Sequence, residues 1–261
     1  MLLKLIDDKI RRAFSASAVR YYVLTGLHKE IGRELLAQIA EYEGGGPILD
    51  VGIGTGWFTG RLKNCFPDAR VVGIDFAEGM VEAARNREKD FGIVQADARR
   101  MPFQENTFDM IVSNLAYQWV GDLPEAFADC HAVLKKEGEL RLTMFGYGTF
   151  QELFEALERT RDAAKGGVAL TRLAGRGQVV DALTKAGFRD VNVKEECIKA
   201  HFPDMPALVK WIKDIGANAL VGDVFIGRDW LNRADAYYRR AFADQWGVRA
   251  TFEVVWVKAA K

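Results

Sequence analysis

The chain has 261 residues, of which 49% are hydrophobic and 28% are charged. This composition is typical of a globular protein and excludes a disordered, collagen-like or coiled-coil chain. The 36 Lys and Arg residues balance the 36 Asp and Glu residues, which argues against a general nucleic-acid-binding surface. Three cysteines and three histidines are scattered without metal-ligand spacing, so we expect reduced core thiols, a cytoplasmic protein and no metal site. No signal peptide is expected, because the start MLLKLIDDKIRR is charged by its fourth residue, and no membrane span is expected, because no run of 18 apolar residues occurs.

The first 46 residues predict a helical segment, because apolar residues recur every three or four positions until Gly44–Gly46. Residues 47–145 alternate short apolar runs with helical stretches such as LPEAFADCHAVLKK. Alternation of this kind is typical of an α/β fold with a doubly wound, mostly parallel sheet covered on both faces. The predicted strands are PILDVG, RVVGID, GIVQAD, FDMIVSNL and LRLTMF.

Residues 146–261 predict the completion of the sheet, interrupted by helical cap insertions. The insertions cover 149–177 and 204–246, and the second is rich in aromatic residues. Between them, VVDALTKAGFRDVNVKEECIKAHF predicts a helix, a glycine turn and a strand. TFEVVWVKAA predicts the last strand. The expected organisation is therefore an N-terminal helical segment over the site (1–46), an α/β core (47–145) and a capped C-terminal part (146–261).

Three glycines, Gly52, Gly54 and Gly56, follow the first predicted strand directly. Glycines there let the backbone turn tightly and approach a ligand beside a helix N-terminus. A dinucleotide fingerprint requires a further small residue, and Trp57 occupies that position instead, which disfavours a nicotinamide or flavin cofactor. A tight strand-to-helix turn without a ligand is the alternative interpretation.

Polar residues stand at the ends of the next three predicted strands: Asp75, Asp97 and Asn114. Ligands of open α/β sheets bind at the carboxyl ends of the strands, where these side chains should converge. Asp75 is suited to ribose hydroxyls and Asp97 to an exocyclic amine. Taken singly, each acid is also explained as a solvated loop residue or a helix cap.

The motifs DVGIGTG, GID, QADA and FDMIVSNL, in that order, resemble the class I S-adenosylmethionine-dependent methyltransferases. The resemblance implies S-adenosylmethionine as the cofactor, S-adenosylhomocysteine as the product and no metal. It implies that Asp50 and the glycine loop hold the methionine end and that Asp75 binds the ribose. The remaining implied contacts are Phe76 and Met80 flanking the adenine, Asp97 and Ala98 at its edge, and Asn114 and Leu115 beside the sulfonium.

Further segments along the chain resemble one family within this class, the malonyl-[acyl-carrier-protein] O-methyltransferases of biotin biosynthesis. They are AFSASAVRYY, SNLAYQWVGDL, GTFQEL, the Arg172 region, IKDIGANAL and LNRADAYYRRAF. The resemblance implies esterification of the free carboxylate of a malonyl thioester on acyl-carrier protein. Two alternatives stay open: a methyltransferase for a quinone precursor or a small dicarboxylate, and a non-catalytic cofactor-binding module.

Four residues are candidates for the acceptor side of the site. A carboxylate with a pKa of about 4 is already ionised near neutral pH, so no general base is expected. Arg172 is expected to clamp the carboxylate and Tyr21 to donate a hydrogen bond, although a solvated helix-end charge and a packed core aromatic explain them equally well. Gln118 and Trp119 are expected to line the acyl entrance, with a core role as the alternative for Trp119.

A basic stretch lies near the N-terminus, with no Asp or Glu between residues 9 and 29. A basic helix face would attract an acidic acyl-carrier protein. A solvated helix face is the alternative. No nucleic-acid or membrane partner is expected. The basic residues are Lys9, Arg11, Arg12, Arg20 and Lys29.

Overall fold

The computed structural model describes residues 2–42, 44–87, 90–161, 173–217 and 227–261. The chain begins with two helices, α1 (Leu2–Leu24) and α2 (Gly26–Ile39). Thr25 separates them, because its backbone (φ −97°, ψ 43°) leaves the helical region while its hydroxyl donates to the carbonyl of Tyr21 over 2.7 Å. The predicted N-terminal helical region thus consists of two helices joined at one residue.

A single mixed sheet forms the centre of the fold. Its strand order is β3-β2-β1-β4-β5-β8-β6, and β7 pairs with β8 at one end. Neighbouring strands from β3 to β5 are parallel, whereas β8 is antiparallel to both β5 and β6. The order therefore reverses between β1 and β4, which is where ligands bind in such sheets. The strands are β1 (Ile48–Val51), β2 (Val71–Asp75), β3 (Gly92–Gln95), β4 (Phe108–Asn114), β5 (Leu134–Phe145), β6 (Arg189–Phe202), β7 (Ala243–Asp244) and β8 (Gly247–Ala260).

Helices cover both faces of the sheet. Neighbouring residues of β1 point into different apolar clusters: Leu49 packs in the cluster that contains Phe127 and Leu183, and Ile48 in the one that contains Leu35 and Leu62. This alternation follows from the pleat of a strand buried on both sides. The predicted α/β fold is confirmed. The remaining helices are α3 (Trp57–Cys65), α4 (Glu78–Arg87), α5 (Leu123–Val133), α6 (Gln151–Arg159), α7 (Arg176–Lys185), α8 (Met205–Asp214) and α9 (Arg228–Phe242).

Two boundaries expected from the sequence are wrong. The helix predicted over LPEAFADCHAVLKK ends at Val133, because Leu134 is extended (φ −70°, ψ 142°) and pairs with Phe108. The last strand begins at Gly247, four residues before the predicted Thr251. The second insertion accordingly ends in a tight hairpin rather than a helix, since Gly247 has a φ of +118° and Asp244 accepts a hydrogen bond from the backbone N–H of Trp246.

The helices α6, α8 and α9 pack with β8 around a third apolar cluster that includes Phe150, Tyr238 and Phe252. A buried carboxylate fixes α6 to the sheet: Glu152 accepts hydrogen bonds from the backbone N–H of Thr251 (2.9 Å) and from its hydroxyl (2.5 Å). Within the described residues, no helix has both the length and the apolar character that crossing a membrane requires.

Candidate active site

A cavity of about 790 Å³, counting its open mouth, lies over the carboxyl ends of β1, β2, β3 and β4. It therefore occupies the point where the strand order reverses. Most of the candidate residues from the sequence meet in its wall. They are Tyr21, Gly52, Gly54, Asp75, Phe76, Met80, Asp97, Ala98, Asn114, Leu115 and Trp119.

The glycine loop between β1 and α3 is held against the end of β2. The backbone N–H groups of Gly52 and Ile53 both donate to the carbonyl of Ile74, over 2.8 and 2.9 Å. A Cβ on Gly52 would lie 2.2 Å from the Cβ of Ala116, and its φ of +83° disfavours any larger residue. Gly56, also at positive φ, directly precedes α3 and does not line the cavity. The loop thus brings bare backbone to the cavity wall at Gly52 and Gly54.

Asp50 lies buried beneath this loop rather than in the cavity wall. Its Oδ2 accepts a hydrogen bond of 2.6 Å from the hydroxyl of Thr59. Its Oδ1 is buried and has no hydrogen-bond partner in the described part of the chain. Burial raises the pKa of Asp50 to about 7, although the Thr59 bond opposes the shift. A buried carboxylate oxygen without a donor fits a cationic ligand group held at the glycine loop.

Asp75 faces the cavity at the end of β2. Its Oδ2 accepts from the backbone N–H of Gly54 (3.0 Å) and its Oδ1 from that of Ala77 (2.9 Å). Burial raises the pKa of Asp75 to about 6, and these backbone hydrogen bonds oppose the rise. Each oxygen retains a further acceptor position, so the carboxylate is fixed in place and can accept two hydroxyl donors.

Asp97, at the end of β3, is held by Arg99. The Arg99 side chain donates to both Asp97 oxygens, over 3.0 and 2.6 Å, and also to Oδ2 of Asp7 in α1 over 2.8 Å. The hydrogen bonds from Arg99 lower the pKa of Asp97. Asp7 and Arg99 both line the cavity, and neither was a candidate. The one feature of the sequence that could have identified Arg99 is its position two residues after Asp97.

Helix α1 forms the roof of the cavity. Asp7, Phe14 and Tyr21 all line it, and their spacing of seven residues places them on one helix face. The ring carbon Cε1 of Tyr21 lies 3.9 Å from the position of a Cβ on Gly54. Burial, together with the charge of Asp75, raises the pKa of Tyr21 well above its usual value, so its hydroxyl remains a hydrogen-bond donor. The ring of Trp119 meets Phe14 edge-on at 5.2 Å.

The amide of Asn114 joins three elements at the end of β4. Its Nδ2 donates to the carbonyl of His28 in α2, and its Oδ1 accepts from Thr143 in β5, both over 3.0 Å. The ring of His28 is enclosed by aromatic side chains, including Phe145 at 5.5 Å and Tyr21 at 5.8 Å. Burial lowers its pKa to about 4, so the ring is neutral near pH 7. No motif or spacing in the sequence singles out His28.

The structure does not bring Gln118 into the cavity wall. Gln118 lies in a short 3₁₀ turn, where its Nε2 donates to the carbonyl of Leu115 over 2.7 Å, so it supports the turn and does not line the cavity. Arg172 lies outside the described residues. No group of three or more His, Cys, Asp or Glu side chains suited to a metal ion occurs among the residues that the structure describes.

Part of the predicted basic face of α1 is neutralised. Arg11 pairs with Asp8 over 2.8 Å, and Arg20 pairs with Asp214 of α8 over 3.4 Å. Lys9 is half-buried and Arg12 is exposed. Lys29 donates to the carbonyl of Tyr22 over 2.5 Å.

Known proteins match this chain over nearly its full length. The family model described as a methyltransferase domain matches residues 49–142. The malonyl-[acyl-carrier protein] O-methyltransferase of Geobacter sulfurreducens is 34% identical over 95% of this chain and 96% of the relative. The enzyme of the same name from Methylococcus capsulatus is 33% identical over 93% of this chain and 90% of the relative.

The fold also matches solved structures. The YcgJ protein of Bacillus subtilis superimposes with a TM-score of 0.63, covering 88% of this chain and 97% of that one at 18% identity. The full-length relatives, the methyltransferase domain and this fold lead to one assignment. The chain belongs to the malonyl-[acyl-carrier protein] O-methyltransferase family of S-adenosylmethionine-dependent methyltransferases.

Proposed function

We propose that this protein transfers the methyl group of S-adenosylmethionine to the free carboxylate of a malonyl thioester carried on acyl-carrier protein. The observation that carries this proposal is the match to enzymes of that name over 95% of the chain, well beyond the methyltransferase domain at 49–142. The product is a methyl ester on the carrier.

The residues around the cavity fit the cofactor. The orphaned Oδ1 of Asp50 suits the ammonium group of the methionine part, directly or through water, and the glycine loop leaves room for its backbone. Asp75 would accept hydrogen bonds from the ribose, while Phe76 and Met80 would flank the adenine beside Asp97 and Ala98. When bound there, S-adenosylmethionine supplies an electrophilic methyl group on its sulfonium.

The acceptor chemistry suits the same cavity. A carboxylate with a pKa of about 4 is ionised near pH 7, so the protein has no proton to remove before methyl transfer. Its task is to position the carboxylate beside Asn114 and Leu115 and to offset the loss of water around the charge. The protonated hydroxyl of Tyr21 and the guanidinium of Arg172 are the groups we assign to this role, with Trp119 along the acyl entrance.

The proposal is tested by incubating the purified protein with S-adenosylmethionine and malonyl-acyl-carrier protein, and measuring the mass of the carrier. A gain of one methyl group on the malonyl carrier, with none on acetyl-acyl-carrier protein, is expected. Intact cofactor binding without methylation of the malonyl carrier would overturn the proposal and favour a different acceptor or a non-catalytic role.

Arg172 has a test of its own. Arg172→Ala should leave cofactor affinity unchanged and reduce kcat/KM. Arg172→Lys should restore only part of the loss, because an ammonium cannot hold a carboxylate with two parallel hydrogen bonds. An unchanged kcat/KM in the alanine variant would remove Arg172 from the site. We also propose a cytoplasmic location. The expectation that the thiols lie in the core is wrong for Cys65 and Cys197, which are exposed, but exposed free thiols are of the kind that a reducing compartment preserves.

A further inference from the structure

Helix α1 forms the roof of the cavity, and its outer face carries an exposed strip of three apolar residues and one arginine. Residues of an α-helix advance by about 100° each, so Arg12, Ala16, Val19 and Val23 fall within an arc of about 60°. All four are exposed, and Val19 and Val23 are 91% and 79% accessible. This arc lies opposite the face that lines the cavity. The roof therefore presents two almost fully exposed valines on its outer side, about one helical turn apart.

Cations lie against two aromatic rings, Tyr22 and Trp57, near the C-terminal end of this strip. The ring of Tyr22 lies between the Lys29 ammonium, 3.7 Å from its centre, and the Arg87 guanidinium at 3.6 Å. The ring of Trp57 carries Arg61 at 4.1 Å. These cations come from α2, α4 and α3, so the fold brings them together although no sequence motif does.

These cations keep their charge available to a partner. Arg33, which also lies near Trp57, pairs with Glu30. Lys29, Arg61 and Arg87 form no ion pair with any carboxylate of the described ranges. An aromatic ring holds a cation in place without neutralising it, so the entropy lost on binding an anionic partner is reduced. A chain of zero net charge thus carries a local positive surface.

We define the Tyr22 surface as Val19, Tyr22, Val23, Lys29, Arg61 and Arg87. We propose that this surface docks the acidic acyl-carrier protein, an inference that rests on the proposed function. Valines flanked by preordered cations provide the apolar centre and charged rim that an acidic protein requires. A single-stranded nucleic acid would need free ring faces for stacking, but cations already cover Tyr22 and Trp57.

The position of the surface suits delivery of a tethered substrate. Tyr21 and Tyr22 are adjacent in α1, and one ring lines the cavity while the other belongs to the outer surface. A carrier bound at Tyr22 is therefore separated from the cavity by the thickness of one helix. The centre of the proposed surface also differs from the basic face expected from the sequence, since Arg11 and Arg20 are paired with acids.

The test compares a carrier-bound substrate with a small one. In Arg61→Glu/Arg87→Glu, kcat/KM for malonyl-acyl-carrier protein should fall by at least about tenfold through KM, and its dependence on salt should flatten. With the malonyl thioester of N-acetylcysteamine, the change should stay below about twofold, because a small thioester makes no contact with this surface. Val19→Asn/Val23→Asn should also lower kcat/KM for malonyl-acyl-carrier protein, although this variant leaves the net charge unchanged.

Lys136→Glu/Lys185→Glu is the matched control. It makes the same change in net charge with exposed residues at the start of β5 and the end of α7, on the amino edge of the sheet. Equal losses with both substrates, or losses no larger than those of the control, would overturn the docking proposal. Direct calorimetry of carrier binding separates the two proposals: a protein that binds the carrier through this surface but methylates neither substrate would overturn the proposed function alone.

Discussion

The backbone N–H of Gly54 donates a hydrogen bond of 3.0 Å to Oδ2 of Asp75, so one carboxylate links the glycine loop after β1 to the end of β2. The same carboxylate faces the cavity. Because the other oxygen is held by the N–H of Ala77, the group cannot rotate away without breaking a backbone hydrogen bond. One side chain therefore holds the glycine loop in position and also faces the cavity in which we propose that the cofactor binds.

Removal of this carboxylate should weaken cofactor binding. Asp75→Ala is expected to reduce the affinity for S-adenosylmethionine by about 1–3 kcal/mol, because the ribose hydroxyls lose their acceptor and Gly54 loses its partner. Isothermal calorimetry measures this directly. Asp68→Ala, an exposed aspartate in the turn before β2, is the control and should leave the affinity unchanged. Equal affinity in Asp75→Ala would refute its assignment to the ribose.

The Asp50 carboxylate should lower the stability of the folded protein near neutral pH and strengthen the binding of S-adenosylmethionine. Its pKa rises from 3.8 to about 7 on folding, so between these pH values the folded protein holds a proton that the unfolded chain releases. The free energy of unfolding should therefore fall as pH rises from about 4 to about 7, by a contribution on the order of 4 kcal/mol. Asp50→Asn removes this contribution.

We expect Asp50→Asn to be more stable than the unmodified protein at pH 8, with little difference at pH 4, and to bind S-adenosylmethionine more weakly because the negative charge is lost. Urea unfolding at both pH values and calorimetry measure the two effects. Asp68→Asn, which is exposed, controls for the chemical change. A stability difference that is independent of pH would show that Asp50 is ionised at low cost.

The sequence predicted the cavity floor better than its roof. Gly52, Asp75, Asp97 and Asn114 were found because parallel strands end at one edge of the sheet, so their positions follow from the strand pattern alone. The roof depends on what α1 packs against, which helical periodicity does not specify. Similarly, Arg20 meets an acid 194 positions away, so no local pattern could reveal that pairing.

Backbone space at the glycine loop gives another prediction. Gly52→Ala places a Cβ 2.2 Å from that of Ala116 at a φ of +83°, so the loop must shift away from the cavity wall. We expect a loss of about 1–3 kcal/mol in stability and at least about tenfold weaker cofactor binding. Gly177→Ala in α7, where a Cβ meets no atom within 4 Å, should be neutral or slightly stabilising. Thermal unfolding measures the stability of both variants, and calorimetry measures their affinity for the cofactor. Similar values for Gly52→Ala and Gly177→Ala would contradict the close approach of Gly52 to Ala116.

Two neighbouring aspartates of α1 should differ in their effect on the roof. Asp7 joins α1 to Arg99 across the cavity, and both side chains are about four-fifths buried. Asp8 pairs only with Arg11 of the same helix among the described residues. Asp7→Asn should therefore increase amide exchange along α1 several-fold, whereas Asp8→Asn should not. Hydrogen exchange followed by mass spectrometry resolves this helix. Equal exchange in both variants would show that the contact between Asp7 and Arg99 does not stabilise α1.

His28 should limit stability in acid. Burial lowers its pKa from 6.5 to about 4, so between these values the unfolded chain takes up a proton that the folded protein does not. The free energy of unfolding should consequently fall as pH drops from about 6.5 to about 4, by roughly 3 kcal/mol. His28→Gln keeps a polar side chain of similar size without this titration. As pH drops from about 6.5 to about 4, the stability of His28→Gln relative to the unmodified protein should rise by this roughly 3 kcal/mol. From pH 7 to 9 the difference in stability should stay constant, and this range serves as the internal control. Urea unfolding across the range measures it, and a constant difference down to pH 4 would show that the His28 ring becomes protonated without leaving its aromatic enclosure.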